Sequence, residues 1–148
     1  MTALLAILLF AQAPAKPTNA EILQSLKSND PAVRETTRAR QRAWAAYCDI
    51  AGESLANLTA KSPALFDLDP KRANHAKLIS ETAKTRDFLH TQHQKSLATK
   101  PELERQRVNY NQGLNQHSAD PTAMANFAKQ QVFACSDGFE TLWRALTR

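Results

Sequence analysis

Residues 30–61 read DPAVRETTRARQRAWAAYCDIAGESLANLTAK, and their reading decides the fold. The stretch opens on Asp30-Pro31. An Asp side chain accepts from the unpaired N–H groups at a helix start, and Pro at the next position has no N–H to leave unpaired. From there Val33, Thr37, Arg40, Trp44, Tyr47, Ala51, Leu55 and Leu58 recur at spacings of three and four, which places them on one stripe of a helix over 31–61.

The same punctuation recurs outward from it. Asp69-Pro70 and Asp120-Pro121 repeat the start signal, and Thr18 with Glu21 and Thr99 with Glu102 have capping-box spacing. The expected helices are therefore 19–28, 31–61, 70–98, 101–117 and 121–147, with the apolar segment 62–68 as a loop covering one end. The last helix carries a stripe of Met124, Ala128, Gln131, Cys135, Leu142 and Leu146, flanked by Val132, Phe139 and Trp143. The third is weaker, with His75, Leu78, Ile79, Thr82, Arg86, Leu89, His93 and Leu97 on one face. The fourth offers only Leu103, Tyr110 and Leu114 and reads as peripheral. Helices of this length joined by short links pack as antiparallel neighbours. The expected fold is all-α, an antiparallel helical bundle of four main helices with a short leading helix. If Pro101 only kinks the chain, helices 70–98 and 101–117 merge and three long helices result; the capping box at Thr99 favours a fresh start.

At 148 residues the chain has room for one domain. Its three glycines, Gly52, Gly113 and Gly138, disfavour a turn-rich β fold. The N-terminus suggests the compartment. Ala3 to Ala11 form a short apolar run, well under the roughly 20 residues that cross a bilayer as a helix. The run suits the apolar region of a secretory signal, and Ala13-Pro14-Ala15 supplies small residues for a cut ahead of Lys16. No Lys or Arg precedes it, so either the N-terminal amine serves alone or the start lies upstream. The organisation read is a signal peptide over 1–15, an exposed lead-in with a short helix over 16–30, and a bundle domain over 31–148. The expected location is periplasmic or extracellular.

Cys48 and Cys135 are the only cysteines, an even count in a chain read as exported. Each lies on or beside the apolar stripe near the middle of its helix, so antiparallel packing brings them to similar height. A disulfide between them is expected. There is no C-x-x-C spacing to suggest a catalytic pair.

Motifs for chemistry are sparse. His90 and His93, three apart on one helix, offer two metal ligands, but His75 lies about 27 Å along the axis from His93 and cannot complete the set. There is no C-x-x-C-H, no glycine-rich phosphate loop, no H-E-x-x-H and no G-x-S-x-G. No cofactor is expected, and the chain is read as non-enzymatic.

The net charge of +5 suits an anionic partner, with a modest cluster at Arg34, Arg38, Arg40 and Arg42. The cations are not interleaved with stacking aromatics, so nucleic acid is not expected. Phe133 falls on the polar side of a continuous last helix, and Phe88 lies among Lys77, Glu81, Lys84 and Lys95. Both aromatics, with Arg34, Arg38 and Arg42, are the candidate interaction surface. Arg40 and Arg86 point toward apolar stripes and are the candidate interior polar groups. The segment Gln41-Arg42-Ala43-Trp44-Ala45-Ala46-Tyr47 resembles a tryptophan-bearing helix of lysozyme-inhibitor-like exported domains. That likeness is short, and the additional cysteines of those domains are absent here, so no family residue is carried over. The expectation is an exported protein that binds another protein or an anionic envelope component, as an inhibitor, immunity or adaptor protein does. The alternative is a bundle holding a small ligand, haem or metal in a polar-lined interior.

Overall fold

A computed structural model describes residues 13–148; most of the expected signal segment lies outside them. The described residues are all-α, with six helices, one 3-10 turn and no strand. The helices are α1 (Asn19–Lys27), α2 (Pro31–Lys61), α3 (Ala73–Lys95), α4 (Lys100–Asn115), α5 (Pro121–Cys135) and α6 (Asp137–Leu146), with the 3-10 turn at Pro63–Phe66. Among the described residues no helix is long and apolar enough to cross a membrane.

Side-chain caps set most of the starts. Thr18 accepts from Glu21 N–H, Asp30 from Ala32, Thr99 from Glu102, and Asp120 from Thr122 and Ala123. Thr99 therefore begins a new helix, with Pro101 in its first turn, and α3 and α4 are separate. The middle Asp-Pro pair, Asp69-Pro70, behaves differently. Asp69 accepts from Lys71 N–H in a turn, its own N–H donates to His75 Nδ1, and α3 begins only at Ala73. Pro70 could open a helix on geometric grounds, but here that imidazole holds the turn.

The 31-residue α2 is the centre of the molecule, with α1, α3, α4 and α5 all packed on it. It spans roughly 46 Å at 1.5 Å per residue and is much longer than its neighbours. Its middle is enclosed: every residue from Ala46 to Gly52 is buried. Its first third is largely exposed, and Val33 is 40 % accessible there. α3 doubles back along α2, with Asp49 beside His93 and Gly52 beside Arg86 and Leu89. A Cβ on Gly52 would lie 3.1 Å from Leu89 Cδ1 and 3.3 Å from the Arg86 backbone, so glycine permits this close approach. The core gathers Tyr47, Ile50, Leu55, Leu78, Leu89, Tyr110 and Val132. Two polar links fasten it: the Tyr47 hydroxyl donates to Gln131 Oε1 at 2.6 Å, and the Tyr110 hydroxyl to Ser54 Oγ at 2.8 Å.

The expected last helix is two. Ser136 leaves helical geometry at φ −151° and ψ 104°, and its hydroxyl accepts from Phe139 N–H, capping α6. The break turns α6 back so that Phe139 and Trp143 close over Phe133, with ring centroids 5.9 and 6.0 Å away. Phe66 of the 3-10 turn meets Trp143 at 5.7 Å and completes this aromatic cluster.

Candidate functional sites

The structure redistributes the residues singled out from the sequence. Cys48 and Cys135 are joined as a disulfide, with Cα atoms 5.8 Å apart, tying mid-α2 to the end of α5. Phe133 is corrected from surface to core: it is 5 % exposed, and Lys129 Nζ lies 5.9 Å over its ring. The reading of an exposed Phe133 rested on an unbroken helix, and the break at Ser136 removes it. Arg40 and Arg86 are corrected in the other direction. Arg40 is half-exposed and bonds Glu21 Oε2 of α1 at 2.9 Å, because the first third of α2 projects past most of its neighbours. Arg86 is partly exposed and reaches Asp87 at 3.2 Å. Neither lines an interior.

Phe88 is on the surface, 56 % exposed, at a groove between α2 and α3 of about 750 Å³. The groove floor is Trp44, Ala45, Leu89 and the disulfide; Phe88 and Leu97 stand at its apolar edge. Arg38, Arg42 and Lys95 also line it, with Glu35 as the one acidic residue. Glu35 is bonded to Arg42, which leaves Arg38 and Lys95 facing the groove with no carboxylate bonded to them among the described residues. Arg34 sits outside the groove and donates from Nε to Ser28 O at 2.7 Å, bracing the α1–α2 link.

Leu97 is the unusual member. It follows the Ser96 cap of α3 with φ 58°, the left-handed position that glycine usually takes where a helix ends. For a residue with a Cβ this costs about 1 kcal/mol or more. The side chain so placed is 83 % exposed rather than tucked into the core.

On another flank of α3 lies a second cluster. Asp49 is buried at mid-α2, and its Oδ2 meets His90 Nδ1 at 2.9 Å and His93 Nδ1 at 2.7 Å. His93 is buried and its Nε2 has no partner, whereas the His90 side chain is 55 % exposed. Asp49 is the residue sequence reasoning missed. It lies off the 31–61 stripe, and a one-stripe reading sends it to solvent; only the enclosure of α2 on all sides buries it. His75 and His117 stay apart from this cluster, the first in its turn and the second 5.5 Å from the Phe127 ring.

Compared with known proteins, the chain matches no family model, no curated protein and no solved structure.

Proposed function

We propose that this chain is an exported, non-enzymatic binding protein, an antiparallel helical bundle whose α2–α3 groove takes an acidic, partly apolar segment of a partner protein. The observation that carries this reading is the pairing, in one groove, of exposed apolar side chains with cations that lack bonded carboxylates. Phe88 and Leu97 supply apolar surface, worth about 1.5 to 3 kcal/mol for a side chain fully buried. Arg38 and Lys95 supply the complementary charge, which steers an acidic partner and selects against a basic one. The strained backbone at Leu97 supports the same reading, since backbone outliers collect where a side chain is held for a ligand. Export is supported by the short apolar N-terminal run and by the disulfide, a bond that persists in oxidising compartments.

The test uses a labelled peptide of Glu and Leu at helical spacing, its Lys-for-Glu counterpart, and fluorescence anisotropy at low and high salt. The acidic peptide is expected to bind and the basic one not. Phe88→Ala and the double variant Arg38→Glu, Lys95→Glu should each weaken binding about tenfold, equivalent to about 1.4 kcal/mol. All three side chains are on the surface, so these variants should fold normally. Equal binding of both peptides, or unchanged affinity in both variants, would overturn the proposal.

A further inference from the structure

We propose that Asp49, His90 and His93 form a binding site for a divalent first-row transition cation such as zinc. One ligand atom from each residue lies within 4.8 Å of the other two, and Asp49 Oδ2 meets both Nδ1 atoms. The helices deliver them from two sides: Asp49 from mid-α2, and the two imidazoles from adjacent turns of α3. The donor set is two imidazoles and one carboxylate, which suits zinc and its neighbours and not magnesium or calcium, which take oxygen donors. Cys48 is next to Asp49 in sequence but is bonded to Cys135, so no thiolate enters the set.

The charge state of the cluster points the same way. Asp49 is 5 % exposed, and among the described residues no Lys or Arg pairs with it. Buried carboxylates are paired with cations or coordinate metals. With neutral rings the cluster carries one negative charge, which a divalent cation would balance. The His93 ring is buried yet held at one end only, by the carboxylate, with Nε2 unbonded. A cation on Nδ1 would place the ring proton on Nε2 rather than partner it, so it is the unbalanced Asp49 charge and the donor spacing that favour the ion.

The two spacings to the carboxylate need little adjustment. Metal bonds of about 2.0 to 2.1 Å at tetrahedral angles separate neighbouring donors by about 3.3 Å. The observed spacings to Asp49 are 2.7 and 2.9 Å, so a bound ion would spread the donors by roughly half an ångström. His90 is free to give that movement because its side chain is 55 % exposed, and the ion would enter from solvent on its side. Water would complete the coordination.

The test is calorimetric titration of Zn²⁺ into the full, oxidised, chelator-treated chain, with Co²⁺ as a visible-absorption probe and Mg²⁺ as a control. One equivalent of Zn²⁺ should bind, Co²⁺ should develop ligand-field absorption, and Mg²⁺ should do neither. His90→Ala removes an exposed ligand without disturbing the core and should weaken Zn²⁺ binding about tenfold or more. Asp49→Asn should act likewise, and its circular dichroism reports whether it folds; His117→Ala, remote from the cluster, should bind as the parent does. No heat with Zn²⁺, or His90→Ala binding as tightly as the parent, would overturn the proposal and leave a hydrogen-bonded carboxylate–imidazole network.

Discussion

Breaking the Cys48–Cys135 bond should cost this protein roughly a third or more of an ordinary domain's stability margin of about 5 to 15 kcal/mol. The two residues are 87 apart in sequence. In the chain-entropy description, opening a loop of that size releases about 4.5 kcal/mol of denatured-state freedom at 25 °C. For a chain of this length each kcal/mol moves the melting temperature by about 2 to 4 °C, so reduction should lower it by roughly 10 to 18 °C. The bond also holds the end of α5 against α2 immediately before the break at Ser136, so reduction should loosen α6 and the aromatic cluster with it. The assay is urea unfolding, followed by far-ultraviolet circular dichroism, of the oxidised chain and of the same chain kept reduced. The reduced chain retains both sulfur atoms, so the difference isolates the constraint from the packing. The denaturant slope should rise on reduction, because a chain without the link unfolds to a more exposed ensemble. The double variant Cys48→Ala, Cys135→Ala should lose about 1 kcal/mol more, since Cys48 is buried. If the reduced chain were within about 1 kcal/mol of the oxidised one, the entropic reasoning would be wrong for this fold.

Burial holds both tyrosines as phenols: Tyr110 is pushed up to about 12, against a smaller lowering by its Ser54 hydrogen bond, and Tyr47 is raised by burial and then by Tyr110. Folded-state values above the unfolded one mean stability is complete below about pH 10 and is lost as pH rises through about 12; phenolate absorbance appearing near pH 10 with the circular dichroism intact would contradict this. Phe133→Ala should cost about 3 to 5 kcal/mol in denaturant unfolding, and Phe88→Ala about 0.5 kcal/mol or less; similar losses for the two would mean that the aromatic cluster has been misread. A Cβ at Gly113 would lie 2.6 Å from Phe127 Cζ, so Gly113→Ala should lower the unfolding free energy in urea by about 1 to 2 kcal/mol despite alanine's better helix propensity, and a stabilised variant would show that the Phe127 ring yields freely. Arg40→Ala should lose about 1 kcal/mol or less, as an exposed pair does; a loss of about 3 kcal/mol or more would return Arg40 to the interior.

What the residues by themselves determined is local. Four of the five expected helix starts carry the side-chain caps foreseen at Thr18, Asp30, Thr99 and Asp120, because capping is a contact between residues two or three apart. The pairing of Cys48 with Cys135 was legible too, since only one pairing of two cysteines exists. The Ser136 cap was equally local, but the apolar spacing on both sides of it suggests one continuous helix and conceals the break. Everything that depends on what covers a helix was decided by the tertiary structure. Periodicity assigns a residue to a face, and burial of that face depends on how far neighbouring helices reach. α2 outruns its neighbours, so the same stripe that is core at Tyr47 is surface at Arg40. α6 folds back, so Phe133 on a nominally polar face becomes core. α2 is enclosed at mid-length, so Asp49, off the stripe, is buried against two histidines some 40 residues away. A helical wheel holds no information on the length or path of the next helix, and contacts of that separation form only when the chain is closed upon itself.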